Sequence, residues 1–206
     1  MKRASLLWFQ AIVLIVSLNL LSCGGGGGGG VAPTVDTSFG TKGIVITDIS
    51  SLGQDNEINS LAIQSDGKLV VAGSSQIGGQ TFFALARYNT DGSLDTTFGA
   101  SGIVTTAIGT HDDEAFALAI DSNGKLVAAG FSNNGTQYEF ALVRYTTTGA
   151  LDTTFHTTGI VTTAIGTFDD EINSLAIQSD GKLVAAGFSV NISTGADEFA
   201  LVRYLP

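Results

Sequence analysis

Three short tags recur in fixed order along this chain, and their spacing constrains the fold more than any other feature. Asp36-Thr-Ser-Phe-Gly40 returns as Asp95-Thr-Thr-Phe-Gly99 and as Asp152-Thr-Thr-Phe-His156. Asp66-Gly-Lys-Leu-Val70 returns as Asn123-Gly-Lys-Leu-Val127 and Asp180-Gly-Lys-Leu-Val184. Ala84-Leu-Ala-Arg-Tyr88 returns as Ala141-Leu-Val-Arg-Tyr145 and Ala200-Leu-Val-Arg-Tyr204. The opening tag repeats at intervals of 59 and 57 residues. A period this long is the mark of stacked supersecondary units, each burying its apolar surface against a neighbour. The units are repeat 1 (36–94), repeat 2 (95–151) and repeat 3 (152–206).

Each unit holds four apolar runs of strand length. In repeat 2 they are Gly102–Ile108, Glu114–Ile120, Lys125–Gly130 and Glu139–Tyr145, rich in Val, Ile, Thr, Phe and Tyr and free of proline. Asp66-Gly67, Asn123-Gly124 and Asp180-Gly181 stand between the second and third runs. Those dipeptides suit a type I′ turn and predict a tight hairpin in every unit. Along the second run Leu61, Leu118 and Leu175 share a face with Ile63, Ile120 and Ile177, while Ala62, Ala119 and Ala176 fill the opposite face. Both faces are apolar, unlike those of a sheet with one side in water. The expected fold is therefore all-β, with three tandem four-stranded antiparallel units like propeller blades, forming a partial or open β-propeller.

The motif set resembles the delta-60 repeat family across residues 36–204: a Leu-Asp-Thr-Thr-Phe-Gly opening, a Gln-Ser-Asp-Gly-Lys-Leu-Val hairpin and a Phe-Ala-Leu-Val-Arg-Tyr closing strand. The resemblance implies propeller-like units on secreted or envelope proteins of bacteria, mostly without an assigned activity. Three units are fewer than the about four to eight blades of a closed propeller. Two open blade faces are expected, and two half-rings together would supply six blades.

Residues 1–22 read as an export signal. Lys2 and Arg3 precede an apolar stretch from Leu6 to Leu21. Cys23, the single cysteine, follows Leu20-Leu21-Ser22, which resembles the bacterial lipobox. That resemblance implies acylation of Cys23 and a membrane anchor, with residues 23–35, including Gly24 to Gly30, as a flexible tether. Gly24 in place of Asp favours the outer membrane of a Gram-negative envelope. Without Lys2 and Arg3 the chain carries seven basic residues against nineteen acidic ones, net −12. Such a surface excludes nucleic acid, whose phosphates require a basic footprint, and leaves membrane attachment to the acyl chains.

Three sets of polar residues invite chemistry. Arg87, Arg144 and Arg203 lie on the same strand face as Phe and Leu, so each needs a partner. Asp36, Asp95 and Asp152 are the expected partners, in a structural ion-pair clamp within each unit. The acidic runs Asp55–Glu57, Asp112–Glu114 and Asp169–Glu171 lack the alternating oxygen ligands of a calcium loop and read as solvated loops that blunt a strand edge. His111 and His156 do not recur and have no metal-site spacing. No catalytic group, metal or cofactor is expected. The function reads as a non-enzymatic scaffold or interaction domain, with self-association or a protein partner at the open faces. An enzyme with a site on the propeller axis and a truncated relic of a longer array are the alternatives. Specificity is expected where the units differ, in the loops 74–81, 132–137 and 189–196.

Overall fold

The computed structural model describes residues 34–50 and 53–206. The expected signal (1–22), Cys23 and the expected tether (23–35), save its last two residues, lie outside them. The described elements are all strands: β1 (Asn56–Ile63), β2 (Leu69–Ile77), β3 (Gln80–Tyr88), β4 (Ile103–Thr106), β5 (Asp113–Ile120), β6 (Leu126–Asn133), β7 (Tyr138–Tyr145), β8 (Ile160–Thr163), β9 (Asp170–Ile177), β10 (Leu183–Val190) and β11 (Asp197–Tyr204). They form three antiparallel sheets, ordered β1-β2-β3-β4, β5-β6-β7-β8 and β9-β10-β11. We call these blades 1, 2 and 3. Along one side of the row, β5 touches both β1 and β9.

The blades are out of phase with the sequence units. By sequence the first apolar run of each unit, Ile-Val-Thr-Thr in repeats 2 and 3, belongs to that unit's own sheet. Instead β4, from repeat 2, pairs with β3 of repeat 1, and β8, from repeat 3, pairs with β7 of repeat 2. The chain after β3 is folded back on it. The amide of Asp95 donates to Arg87 O at 2.9 Å, and the Arg87 amide donates to Gly102 O at 2.9 Å. The next extended residues therefore land on the free edge of β3.

The Asp-Gly and Asn-Gly hairpins join β1 to β2, β5 to β6 and β9 to β10. Their turns are not type I′. Gly67, Gly124 and Gly181 have φ of 83°, 78° and 84°, but Asp66, Asn123 and Asp180 are not among the residues with positive φ. In the first hairpin Ile63 pairs with Leu69, Gln64 N donates to Lys68 O, and Gly67 N donates to Gln64 O. The loop thus has three residues, a type I turn closed by a left-handed glycine.

Each inner hairpin also carries a bulge, at Ile58/Ser60, Ala115/Ala117 and Ile172/Ser174. Opposite the bulge stand Gly73, Gly130 and Gly187. A Cβ on these residues would lie 1.9, 1.9 and 1.8 Å from the carbonyl oxygens of Glu57, Glu114 and Glu171. Glycine is required there by close approach of backbone to backbone.

The core lies between blades. Val70, Ala72, Phe83 and Leu85 on the rear of blade 1 pack against Ala115, Leu126, Ala128, Ala141, Val143 and Tyr145 on the front of blade 2. Val127, Ala129, Phe140 and Leu142 on the rear of blade 2 pack against Ile172, Leu183, Ala185 and Ala200 on the front of blade 3. The apolar character of both faces of blade 2 follows from this sandwiching.

Candidate functional site: the two open ends of the blade row

Between blades, the polar residues of the repeat are used as fasteners. Asp95 is 4 % exposed and accepts from Arg87 Nε at 2.8 Å and Lys68 Nζ at 2.8 Å. Asp152 repeats this with Arg144 at 2.7 Å and Lys125 at 2.8 Å. Arg87 and Arg144 lie 4.6 Å above the rings of Phe98 and Phe155. The Lys68 ammonium and the Thr97 hydroxyl hold the Asp95 carboxyl well below the usual carboxylate range. Burial pushes Asp152 up, but Lys125 and Thr154 outweigh it and leave that carboxyl well below the usual range too.

These pairs correct the expected clamp. Each arginine meets the aspartate of the following unit's opening motif, not that of its own unit, because the opening motif is folded back onto the preceding blade. Two members of the expected set are left over. Asp36 is exposed, and its carboxylate accepts only local bonds from the Ser38 amide and hydroxyl. Arg203 is exposed and makes no ion pair among the described residues. Lys182, the counterpart of Lys68 and Lys125, turns to Asp180 instead.

The acidic runs are corrected in part. Asp112 accepts the Thr81 amide of the preceding blade at 2.9 Å, and Asp169 accepts the Tyr138 amide at 2.9 Å. Asp113 and Asp170 are fully buried and accept the amides of Ile108 and Ile165, each at 2.8 Å. Asp113 and Asp170 are thus buried ties rather than solvated residues, while Asp112 and Asp169 are exposed and still tie one blade to the next. Among the described residues no cluster of potential ligands is arranged for a metal ion. On the inner strands, burial and the nearby Glu114 carboxylate push Glu171 up to about 6. His111 is exposed, and its ring nitrogen bonds the Thr110 hydroxyl. His156 is exposed in a turn at φ 47°.

Hydrophobic exposure is concentrated at the two ends. Phe199 is 100 % exposed and Leu201 70 %, whereas Phe83, Leu85, Phe140 and Leu142 at the matching positions are 0 % exposed. On the front of blade 1, Ile58, Leu61 and Ile63 are 61 %, 56 % and 65 % exposed. Their counterparts Ala115 and Ile172 are 0 % exposed, and Leu118, Ile120, Leu175 and Ile177 pack against the cores. The repeated motifs already mark these positions. What they could not reveal is which copy stands uncovered, because that depends on the order of blades.

Two narrow clefts open beside the fasteners. One, about 440 Å³, lies between blades 2 and 3 and reaches Lys125 and Arg144. The other lies between blades 1 and 2, by Lys68 and Arg87. In both, the cations are already engaged by Asp95 or Asp152.

A family model described as "Domain of unknown function (DUF5122) beta-propeller" matches residues 64–98, 122–155 and 178–206. Each match starts in the turn between the first two strands of a blade, and the first two run on through β3 or β7 into the clamp. No curated protein matches the chain. With three consecutive sheets packed face to face and this match recurring on each, the described residues form a β-propeller repeat domain.

Proposed function

We propose that the chain is a non-catalytic scaffold, a row of blades attached to the cell envelope through lipid on Cys23, whose open apolar ends take a protein partner. One observation carries the interaction role. Side chains buried at every internal blade junction are laid bare at the ends, with Phe199 at 100 % exposure where its counterparts are at 0 %. A terminal repeat that faces only water needs a polar outer surface, and these ends are apolar. The likeness of the motifs to delta-60 repeats supports the envelope setting. The run Leu20-Leu21-Ser22-Cys23 supports lipidation, and Gly24 supports the outer membrane.

Labelling of expressing cells with radioactive palmitate, with Cys23→Ala as control, tests the anchor. Label on the native chain that vanishes in Cys23→Ala is expected; equal or absent label in both removes the anchor from the reading. Cross-linking in the same cells tests the interaction. Leu201→Asp should abolish cross-linked adducts of the domain, and adducts that persist unchanged would remove the blade-3 face as the contact.

A further inference from the structure

The opening segment of repeat 1 holds a position for which no blade is present. In blades 1 and 2 the fourth strand sits on the next blade through a fixed set of contacts. Thr106 Oγ1 bonds Tyr145 Oη at 2.8 Å, and Tyr204 Oη donates to Thr163 Oγ1 at 3.1 Å. Gly99 N donates to Thr148 O at 2.9 Å. Residues 36–47 reproduce these contacts on the front of blade 1. Tyr88 Oη donates to Thr47 Oγ1 at 2.8 Å, Gly40 N donates to Asp91 O at 2.7 Å, and Val45 packs against Val71, Ala86 and Tyr88. Ile44–Thr47 is thus seated as the fourth strand of a preceding blade. Among the described residues its own ladder edge is unpaired apart from the Thr41–Ile44 bridge.

At the other end, among the described residues, blade 3 has three strands and β11 has no neighbour beyond β10. The missing partner of β11 and the missing partner of Ile44–Thr47 are the same interaction. We infer that two copies of this chain join head to tail, β11 of each pairing antiparallel with Ile44–Thr47 of the other, to close a ring of six blades. The inference rests on the scaffold reading above and names its partner as a second copy.

The register follows from the two pairings already made. Phe83 faces Thr106 and Ala84 faces Thr105; Phe140 faces Thr163 and Ala141 faces Thr162. Phe199 would then face Thr47, Ala200 would face Ile46, and Leu201 would face Val45. The same step brings Arg203 and Lys182 to Asp36, the three charges left out of the fasteners. It also lays Phe199 and Leu201 over Ile58, Leu61 and Ile63, the surfaces that internal junctions bury. An edge strand with exposed apolar residues is a template for further pairing. A head-to-tail contact makes a finite particle only if the rotation closes, and six blades fall within the range of about four to eight seen in closed propellers.

The test uses full-length chain carrying Cys23→Ser, in detergent matched to solvent density. Sedimentation at micromolar concentration is expected to give twice the chain mass. Phe199→Ser and Arg203→Asp should each halve it, and Arg203→Asp combined with Asp36→Arg should restore it. In the same background, chains with Ile46→Cys mixed with chains bearing Ala200→Cys should form a disulfide-linked dimer under mild oxidation. Neither should do so when mixed with the Cys23→Ser chain alone. A monomer, a particle larger than a dimer, or no disulfide between the Ile46→Cys and Ala200→Cys chains overturns the proposal. A dimer without palmitate label on native Cys23 would sink the anchor and leave the ring. A labelled monomer would do the reverse.

Discussion

At the scale of single residues, charge burial dominates. Asp152 is 4 % exposed and answers two cations, Arg144 and Lys125. Asp152→Ala leaves the Arg144 guanidinium buried without a counter-charge, a change that costs about 3–5 kcal/mol. Chemical denaturation of the two chains should show a loss of that order, and a loss below about 1 kcal/mol would contradict the assigned burial. Glu171 has the opposite sign. Its folded value of about 6 lies above its ordinary 4.5, so the native state holds the proton to higher pH than the unfolded chain does. The stability it contributes is fully present below pH 4.5 and declines as pH rises towards 6. Glu171→Gln should therefore stabilise the domain above pH 6 by about 1 kcal/mol, allowing for its partial exposure, and leave it unchanged below pH 4.5. Melting curves across that range check the crossover.

At the scale of the element, the inner hairpins depend on a bulge and the glycine facing it. Gly130 is the most informative because blade 2 is covered on both faces. Gly130→Ala would place Cβ 1.9 Å from Glu114 O, which side-chain rotation cannot relieve. Overpacking of this kind costs about 1–3 kcal/mol or more. Loss of stability on that scale in denaturant melts is expected, and a neutral result would mean that the bulge is absent. The hairpins were legible from Asp66-Gly67 and its two repeats, since the dipeptide signals a reversal. The turn type was not. Asn and Asp tolerate positive φ without requiring it, and the loop length depends on where Ile63 meets Leu69 across the sheet.

At the scale of the whole molecule, the same residue type has different worth according to which blade it stands on. Leu142 is 0 % exposed between blades 2 and 3, and Leu201 is 70 % exposed on the open rear of blade 3. Leu142→Ala should cost about 2–5 kcal/mol of folding stability. Leu201→Ala should leave the fold of the single chain within about 0.5 kcal/mol, as surface changes do. Thermal melts at dilution low enough to keep chains apart separate the two cases. Equal losses would mean that the rear of blade 3 is already covered.

The all-β class, the threefold repeat and the hairpins could all be read from the amino-acid sequence. Each rests on periodicity or on local backbone preference, which neighbouring residues set. The phase of the blades could not be read. Whether Ile103–Thr106 begins one sheet or completes the one before it is decided by a long-range choice, the folding back of Asp95 onto Arg87. That one choice moved the clamp across the unit boundary. It also left Asp36 and Arg203 without each other and opened the edge of β11. Only the tertiary structure shows it, because sequence repeats define a period but not where in the period the chain passes from one sheet to the next.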